Sequence, residues 1–178
     1  MWRITVTILL VAESAAAQHS YRVHMDHVNR SPHTEESRVL LGIKGSYASV
    51  HEGEREQGGG AGIFAETTLI HGWLELELSA QLLRIGGEAW EVPIDLLLKK
   101  PFCFGDFIQA YVGIGPAVAV VVAESERETL VGGLIAVGAY LWVTPRFGWD
   151  VEVNYAVFGR AQEPVHDITV SVGPAFRI

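Results

Sequence analysis

The stretch LELELSAQL (residues 74–82) alternates without a break. Leu74, Leu76, Leu78, Ala80 and Leu82 fall on one side of an extended chain, and Glu75, Glu77, Ser79 and Gln81 on the other. Successive side chains of a strand point to opposite faces, so this period of two predicts a strand with one apolar and one polar surface. The same pattern recurs. Trp149, Val151, Val153, Tyr155 and Val157 oppose Asp150, Glu152 and Asn154. Ile168, Val170, Val172, Pro174, Phe176 and Ile178 oppose Thr169, Ser171, Gly173 and Arg177, and Trp90, Val92, Ile94, Leu96 and Leu98 oppose Glu91, Asp95 and Lys99.

A soluble β-sandwich shows alternation too, and three further features decide between the environments. Aromatic residues cluster near predicted strand ends: Trp73, Trp90, Phe107, Trp142, Trp149 and Phe176. Such rings are expected at the two membrane interfaces of a lipid-embedded barrel. The segments are also longer than the five or six residues usual in sandwiches. Finally, the polar faces carry many carboxylates, which a soluble core could not bury unpaired. The arrangement is therefore read inside out, with polar residues inward and apolar residues facing lipid. A soluble lipocalin-like barrel holding an apolar ligand is a weaker alternative that needs apolar residues inside.

Working outward, the chain from 38 to 178 divides into eight β-like segments at about 38–50, 59–70, 72–83, 89–99, 106–121, 129–143, 147–158 and 166–178. Each reaches the roughly 9–11 residues a tilted transmembrane strand needs. Polar connections at 51–58, 84–88, 122–128 and 159–165 are assigned to one side, and tighter turns at 71–72, 100–105 and 144–146 to the other. No run of about 20 apolar residues follows the N-terminus, which excludes a helical span. Residues 1–17 read as a secretory signal: Arg3 precedes the apolar Ile4–Ala12 stretch, and Ala15-Ala16-Ala17 offers a cleavage site. Residues 18–37 form a polar lead-in with His19, His24, His27 and His33, whose spacing matches no structural zinc pattern. The net charge of −8 disfavours nucleic acid as a partner. The single cysteine, Cys103, has no internal disulfide partner.

The stretches YVGIGPAVAVV (111–121), GGLIAVGAYLWVTPRFGWDVEVNY (132–155) and the terminal ITVSVGPAFRI make residues 38–178 resemble the small OmpA/OmpX-like group of outer-membrane β-barrels. The resemblance implies an all-β, eight-stranded antiparallel up-and-down transmembrane barrel in the bacterial outer membrane, with both termini periplasmic. It further implies contact with outer-membrane lipids and lipopolysaccharide, and with the barrel-assembly machinery during biogenesis. The last strand keeps the alternation that machinery reads, although the chain closes on Ile178 rather than on Phe176.

Mapped onto that topology, Lys44, Glu66, Glu75, Glu77, Asp95, Lys99, Asp150, Glu152 and Arg177 are expected in the periplasmic half of the lumen. Eight strands leave an interior just wide enough for side chains to fill, so these groups read as an ion-pair plug. Because acids outnumber bases, the alternative is a narrow cation-favouring pore. No catalytic, cofactor-binding or metal-binding residue is expected. His166 and Ser171, a conceivable hydrolase pair, lie five residues apart on one strand and so point to opposite faces. His71 and His51 have no evident partner, and Glu75 and Glu77 share a face that has no cleft. The acidic outer connections read as a solvated rim able to bind bridging divalent cations near lipopolysaccharide.

Overall fold

Alternation of this kind closes into a cylinder in the computed structural model, which describes residues 39–178 except 53, 88, 124–125 and 161–163. The predicted signal segment and lead-in lie outside the described residues. The eight strands are β1 (Val39–Glu52), β2 (Glu54–Ile70), β3 (Leu74–Ile85), β4 (Ala89–Phe104), β5 (Ile108–Ala123), β6 (Glu126–Thr144), β7 (Phe147–Gly159) and β8 (Val165–Arg177). Every strand pairs antiparallel with its sequence neighbours, and β1 pairs with β8 to close an up-and-down barrel. The amide of Ile178 donates to the Val39 carbonyl (3.0 Å), tying off the seam. The predicted fold class is borne out. We call the end where β1 begins and β8 finishes proximal, and the opposite end distal.

Two groups of boundaries differ from the sequence reading. The stretches 51–58 and 122–128, expected as loops, are mostly ladder, because His51 pairs with Arg55 and Glu52 with Glu54, and Val122 pairs with Arg127 and Ala123 with Glu126. Glycines and charges look like turn signals, yet backbone pairing beyond the apolar band requires no apolar face. Likewise Lys100–Phe104, expected within a tight turn, continues β4, with Pro101 opposite Tyr111. The true proximal turns are short, and Gly72 (φ 64°) and Gly105 (φ 69°) supply the left-handed backbone they need.

Prolines leave a visible trace in the ladders. Pairing is interrupted between β3 and β4 beside Pro93, between β4 and β5 beside Pro116, and between β1 and β8 beside Pro174. Each proline lacks the N–H that would donate to that neighbour. The other edge of each of the three stays paired.

The faces sort as the alternation demands. Leu78 and Leu82 are about half exposed on the outer surface, whereas Glu75 and Glu77 are buried inside. Val153, Val172, Ile135 and Ile63 continue the outward apolar band. Within the lumen, Leu97, Ala117, Ala119, Leu130, Leu134, Ala136, Ala156, Phe158 and Val165 form a distal apolar cluster, centred on the β5 and β6 walls. Leu40, Phe64, Tyr111, Tyr140, Trp142 and Ala175 form a proximal one. Charged groups occupy the space between and around them.

Candidate functional site

The lumen is where the polar faces of all eight strands converge, and two lysines organise its proximal half. Lys44 on β1 and Lys99 on β4 are fully buried. The Lys44 ammonium donates to Glu77 Oε1 on β3 (3.0 Å) and to Glu152 Oε1 on β7 (2.7 Å), and lies 3.3 Å from Asp150 Oδ2. The Lys99 ammonium donates to Glu66 Oε2 on β2 (3.1 Å), to Glu77 Oε2, and to the Tyr140 hydroxyl on β6 (3.0 Å). Glu152 Oε2 lies 3.6 Å away. Glu77 and Glu152 thus bridge the two lysines, one carboxylate oxygen to each.

Neutral groups complete the arrangement. The Tyr111 hydroxyl sits 2.8 Å from both Asp150 Oδ1 and Glu152 Oε2, and Tyr140 donates to Glu66 (2.8 Å). Lys99 Nζ also stands 3.8 Å from the Tyr111 ring centroid and Lys44 Nζ 4.5 Å from that of Phe64. These ring faces offer the cations further attraction. Fully satisfied, such a cluster rigidifies the interior; removal of one member leaves a buried charge exposed to a low dielectric.

Three residues of the sequence-derived group sit outside the lysine cluster. Glu75 accepts from Gln109 Nε2 (3.2 and 3.3 Å), and Arg177 donates to Gln109 Oε1 (2.9 Å), so one glutamine links them at the proximal mouth. Asp95 was expected among the proximal charges, but it stands distal to the lysines, where Ser79 Oγ donates to it (3.3 Å). The physical reason is register: Asp95 pairs with Ser79, two positions distal to Glu77.

Trp142 requires a correction. It was expected at a membrane interface, yet it is buried (6% exposed) and points inward, stacked near Tyr140 and covered by the Arg177 guanidinium 3.5 Å from its ring centroid. Its neighbours Leu141 and Val143 take the outward positions. The other five rings face out. Trp73, Phe107, Trp149 and Phe176 are exposed near the proximal end, joined by Phe102 and Phe104, while Trp90 is exposed distally with Tyr47 and Tyr155.

Sequence reasoning missed Gln109, Tyr111 and Tyr140 as lumen partners. A signal existed, since each shares its parity with small residues (Gly113, Gly115, Ala136, Gly138) that an inward face of a narrow barrel favours. The conceivable hydrolase pair is separated: Ser171 points inward against Ser46 (2.9 Å), and His166 points outward with Nδ1 bonded to the Tyr155 hydroxyl (2.8 Å). A lipocalin-like carrier would line its interior with apolar groups and expose polar ones. The described outer face is apolar and the buried charges lie in the lumen beside its two apolar clusters, the opposite of a soluble carrier's polar exterior.

No protein-family model matches the chain, and no curated protein matches it. Solved structures do. Neisserial surface protein A (NspA) superposes with a TM-score of 0.70 at 14% identity, covering 79% of this chain and 97% of that one. Ail, the attachment invasion locus protein of Yersinia pestis, gives 0.59 at 14% identity, covering 80% and 99%. The outer membrane protein OprG from Pseudomonas aeruginosa gives 0.56 at 11% identity, covering 82% and 98%. The chain has the outer-membrane β-barrel fold. At these identities the likeness is one of architecture, and the role has to be argued from the residues.

Proposed function

We propose that this protein is an integral bacterial outer-membrane barrel with a structural or envelope-contacting role, its lumen closed by buried side chains rather than open to solute. The observation that carries this reading is the layer formed by Lys44, Lys99, Glu66, Glu77, Asp150 and Glu152. All six are no more than 6% exposed, and they come from β1, β2, β3, β4 and β7. With Tyr111 and Tyr140 from β5 and β6 they span the cross-section. The signal-like segment 1–17 supports export, and short proximal turns support a periplasmic placement of that end. We read the barrel as non-enzymatic, with the separation of His166 from Ser171 as the supporting geometry.

The partners we assign are outer-membrane lipid and lipopolysaccharide, with the assembly machinery engaged during biogenesis. Ail has been crystallised with the heparin analogue sucrose octasulfate. Our reading for this chain is different, because its distal connections are acidic. Glu52, Glu54 and Glu56 surround Arg55 in sequence, and Glu124, Glu126 and Glu128 surround Arg127. Such a rim repels polyanions and favours bridging by divalent cations.

The runner-up is a narrow cation-favouring pore, and the excess of lumen acids over lysines is what favours it. Single-channel recording of the refolded protein in planar bilayers separates the two. Electrically silent insertion is expected; steady cation-selective steps, lost in Glu77→Gln, would establish the pore instead.

A further inference from the structure

Among the described residues, the lumen cations Lys44, Lys99 and Arg177 sit in the proximal half. At the distal mouth Arg160 pairs with Glu128, and deeper in that half the buried carboxylates form no ion pair among the described residues. Glu91 on β4, Asp95 on β4 and Asp167 on β8 are each 5% exposed. β4 and β8 lie four strands apart in the closed barrel, so Glu91 and Asp167 are carried inward from opposite walls of the lumen. Asp167 has Thr169 Oγ1 on its Oδ2 (3.0 Å), while its Oδ1 is buried with no hydrogen-bond partner among the described residues.

The polar groups around these carboxylates are unsatisfied in the same sense. Asn154 is paired with Thr169 on β8, the inward neighbour of Asp167. Its amide nitrogen donates to Glu152 Oε1 (3.0 Å), which fixes the orientation of the amide and leaves Oδ1 buried and unpartnered. Gln81 follows Ser79 on the inward face of β3, between the Ser79–Asp95 and Leu83–Glu91 pairs, and its Oε1 is unpartnered too. Two amide oxygens and Asp167 Oδ1 therefore lack a donor among the described residues, and register puts Gln81 beside Glu91 on one wall and Asn154 beside Asp167 on the other. The adjoining wall is apolar, formed by Leu130, Leu134 and Phe158, and cannot donate. Unpaired acceptors and unpaired negative charge are costly in such surroundings.

We infer that the distal lumen binds a hard divalent cation, held by the carboxylates of Asp167 and Glu91 with the amide oxygens of Asn154 and Gln81, directly or through water. Oxygen-only ligands, a mixture of carboxylate and amide carbonyl, and a surplus of negative charge suit Ca²⁺ or Mg²⁺ rather than a nitrogen- or sulfur-seeking metal. The site adjoins the lysine plug through the Asn154–Glu152 hydrogen bond but takes none of the plug's carboxylates, and it holds whether the barrel is silent or conducting.

The test uses the full mature chain refolded in lipid nanodiscs, with CaCl2 and then MgCl2 as probes. Side-chain amide NMR signals of Asn154 and Gln81 are followed through the titration. Saturable shifts at both amides are expected, with the apparent affinity falling at least tenfold in Asp167→Asn and in Glu91→Gln. Glu75→Gln, at the other end of the lumen, should titrate as wild type. Folding of each variant is checked by heat-modifiable gel mobility; should Asp167→Asn not fold, Glu91→Gln and the wild-type amides still decide. Shifts confined to the rim around Glu128, with Asn154 and Gln81 unmoved, would overturn the site. So would infrared bands showing Glu91 and Asp167 protonated at neutral pH and unchanged by the cation, because neutral carboxyls supply the missing donors themselves.

Discussion

Replacing Lys99 with methionine tests whether the lumen is held by its cations. The side chain is fully buried, and its ammonium touches Glu66, Glu77 and the Tyr140 hydroxyl, with Glu152 Oε2 3.6 Å away. Methionine fills a similar volume, so the loss is chiefly electrostatic. Lys44 continues to hold Glu77 and Glu152, but Glu66 keeps only the hydrogen bond from Tyr140. Removing one partner of a buried pair costs about 3–5 kcal/mol, because the remaining charge is stranded. The opposite change should behave differently. The cluster sets two lysines against four carboxylates, so Glu66→Gln moves it towards balance and leaves Lys99 with two acidic partners. We expect that variant to lie within about 1 kcal/mol of wild type, the scale of one net hydrogen bond.

Urea unfolding of the barrel in lipid vesicles, followed by tryptophan fluorescence and gel mobility together, measures both. With an m-value of about 2 kcal/mol/M, the lysine variant should unfold at roughly 1.5–2.5 M less urea. Combining Lys99→Met with Glu66→Gln should recover about 0.5–3 kcal/mol, the coupling range for groups in direct contact. If Lys99→Met costs less than about 1 kcal/mol, or if Glu66→Gln is as damaging, the lumen is not organised by its cations and the plug argument fails.

Three further outcomes follow from side-chain direction and close approach. In single-tryptophan variants, brominated lipid should quench Trp73, Trp90 and Trp149 and leave Trp142 untouched; quenching of Trp142 would contradict its inward placement. Gly173→Ala drives a Cβ into the Ile43 carbonyl at the closing seam, whereas at Gly133 the nearest atom is 3.5 Å away. Overpacking of that kind costs about 1–3 kcal/mol, so the first variant should lose that much in vesicle unfolding and the second should be near neutral. Val153→Arg, at the middle of β7 on the lipid side, should destabilise by about 2–4 kcal/mol, against about 0–1 for Phe107→Arg near the proximal interface. Equal effects at the two positions would argue against a bilayer around this surface.

Much of the fold was legible because alternation survives wherever one face of a strand is charged. LELELSAQL announces its two surfaces, and β4, β7 and β8 repeat the message. Legibility falls where both faces are uncharged. In β6 the run from Leu134 to Val143 carries no charged residue on either side, so the small residues Ala136 and Gly138 on the parity of Trp142 are all that marks its side. Only the register with β7, in which Trp142 opposes Gly148, settles it. A similar limit applied along the barrel axis. Parity gave Asp95 its inward direction, but its height depends on pairing with Ser79, which no single strand encodes.

The lumen charges were legible as a set and illegible as a distribution. Read as one acidic interior, they suggest a pore. Read by height, they separate into a proximal layer in which carboxylates share two lysines and a distal layer in which Asp95 and Asp167 have a hydroxyl donor each but no ion pair among the described residues. The same excess of negative charge therefore has two physical meanings. In the proximal layer it is spread over short ion pairs and tyrosine hydroxyls, which restrains the strands against one another. In the distal layer it is uncompensated by the side chains described, and a mobile cation is what the chemistry lacks. Neutralising Glu77 should consequently alter barrel stability, while neutralising Asp167 should alter cation affinity, and the two effects should be separable in one set of refolded variants.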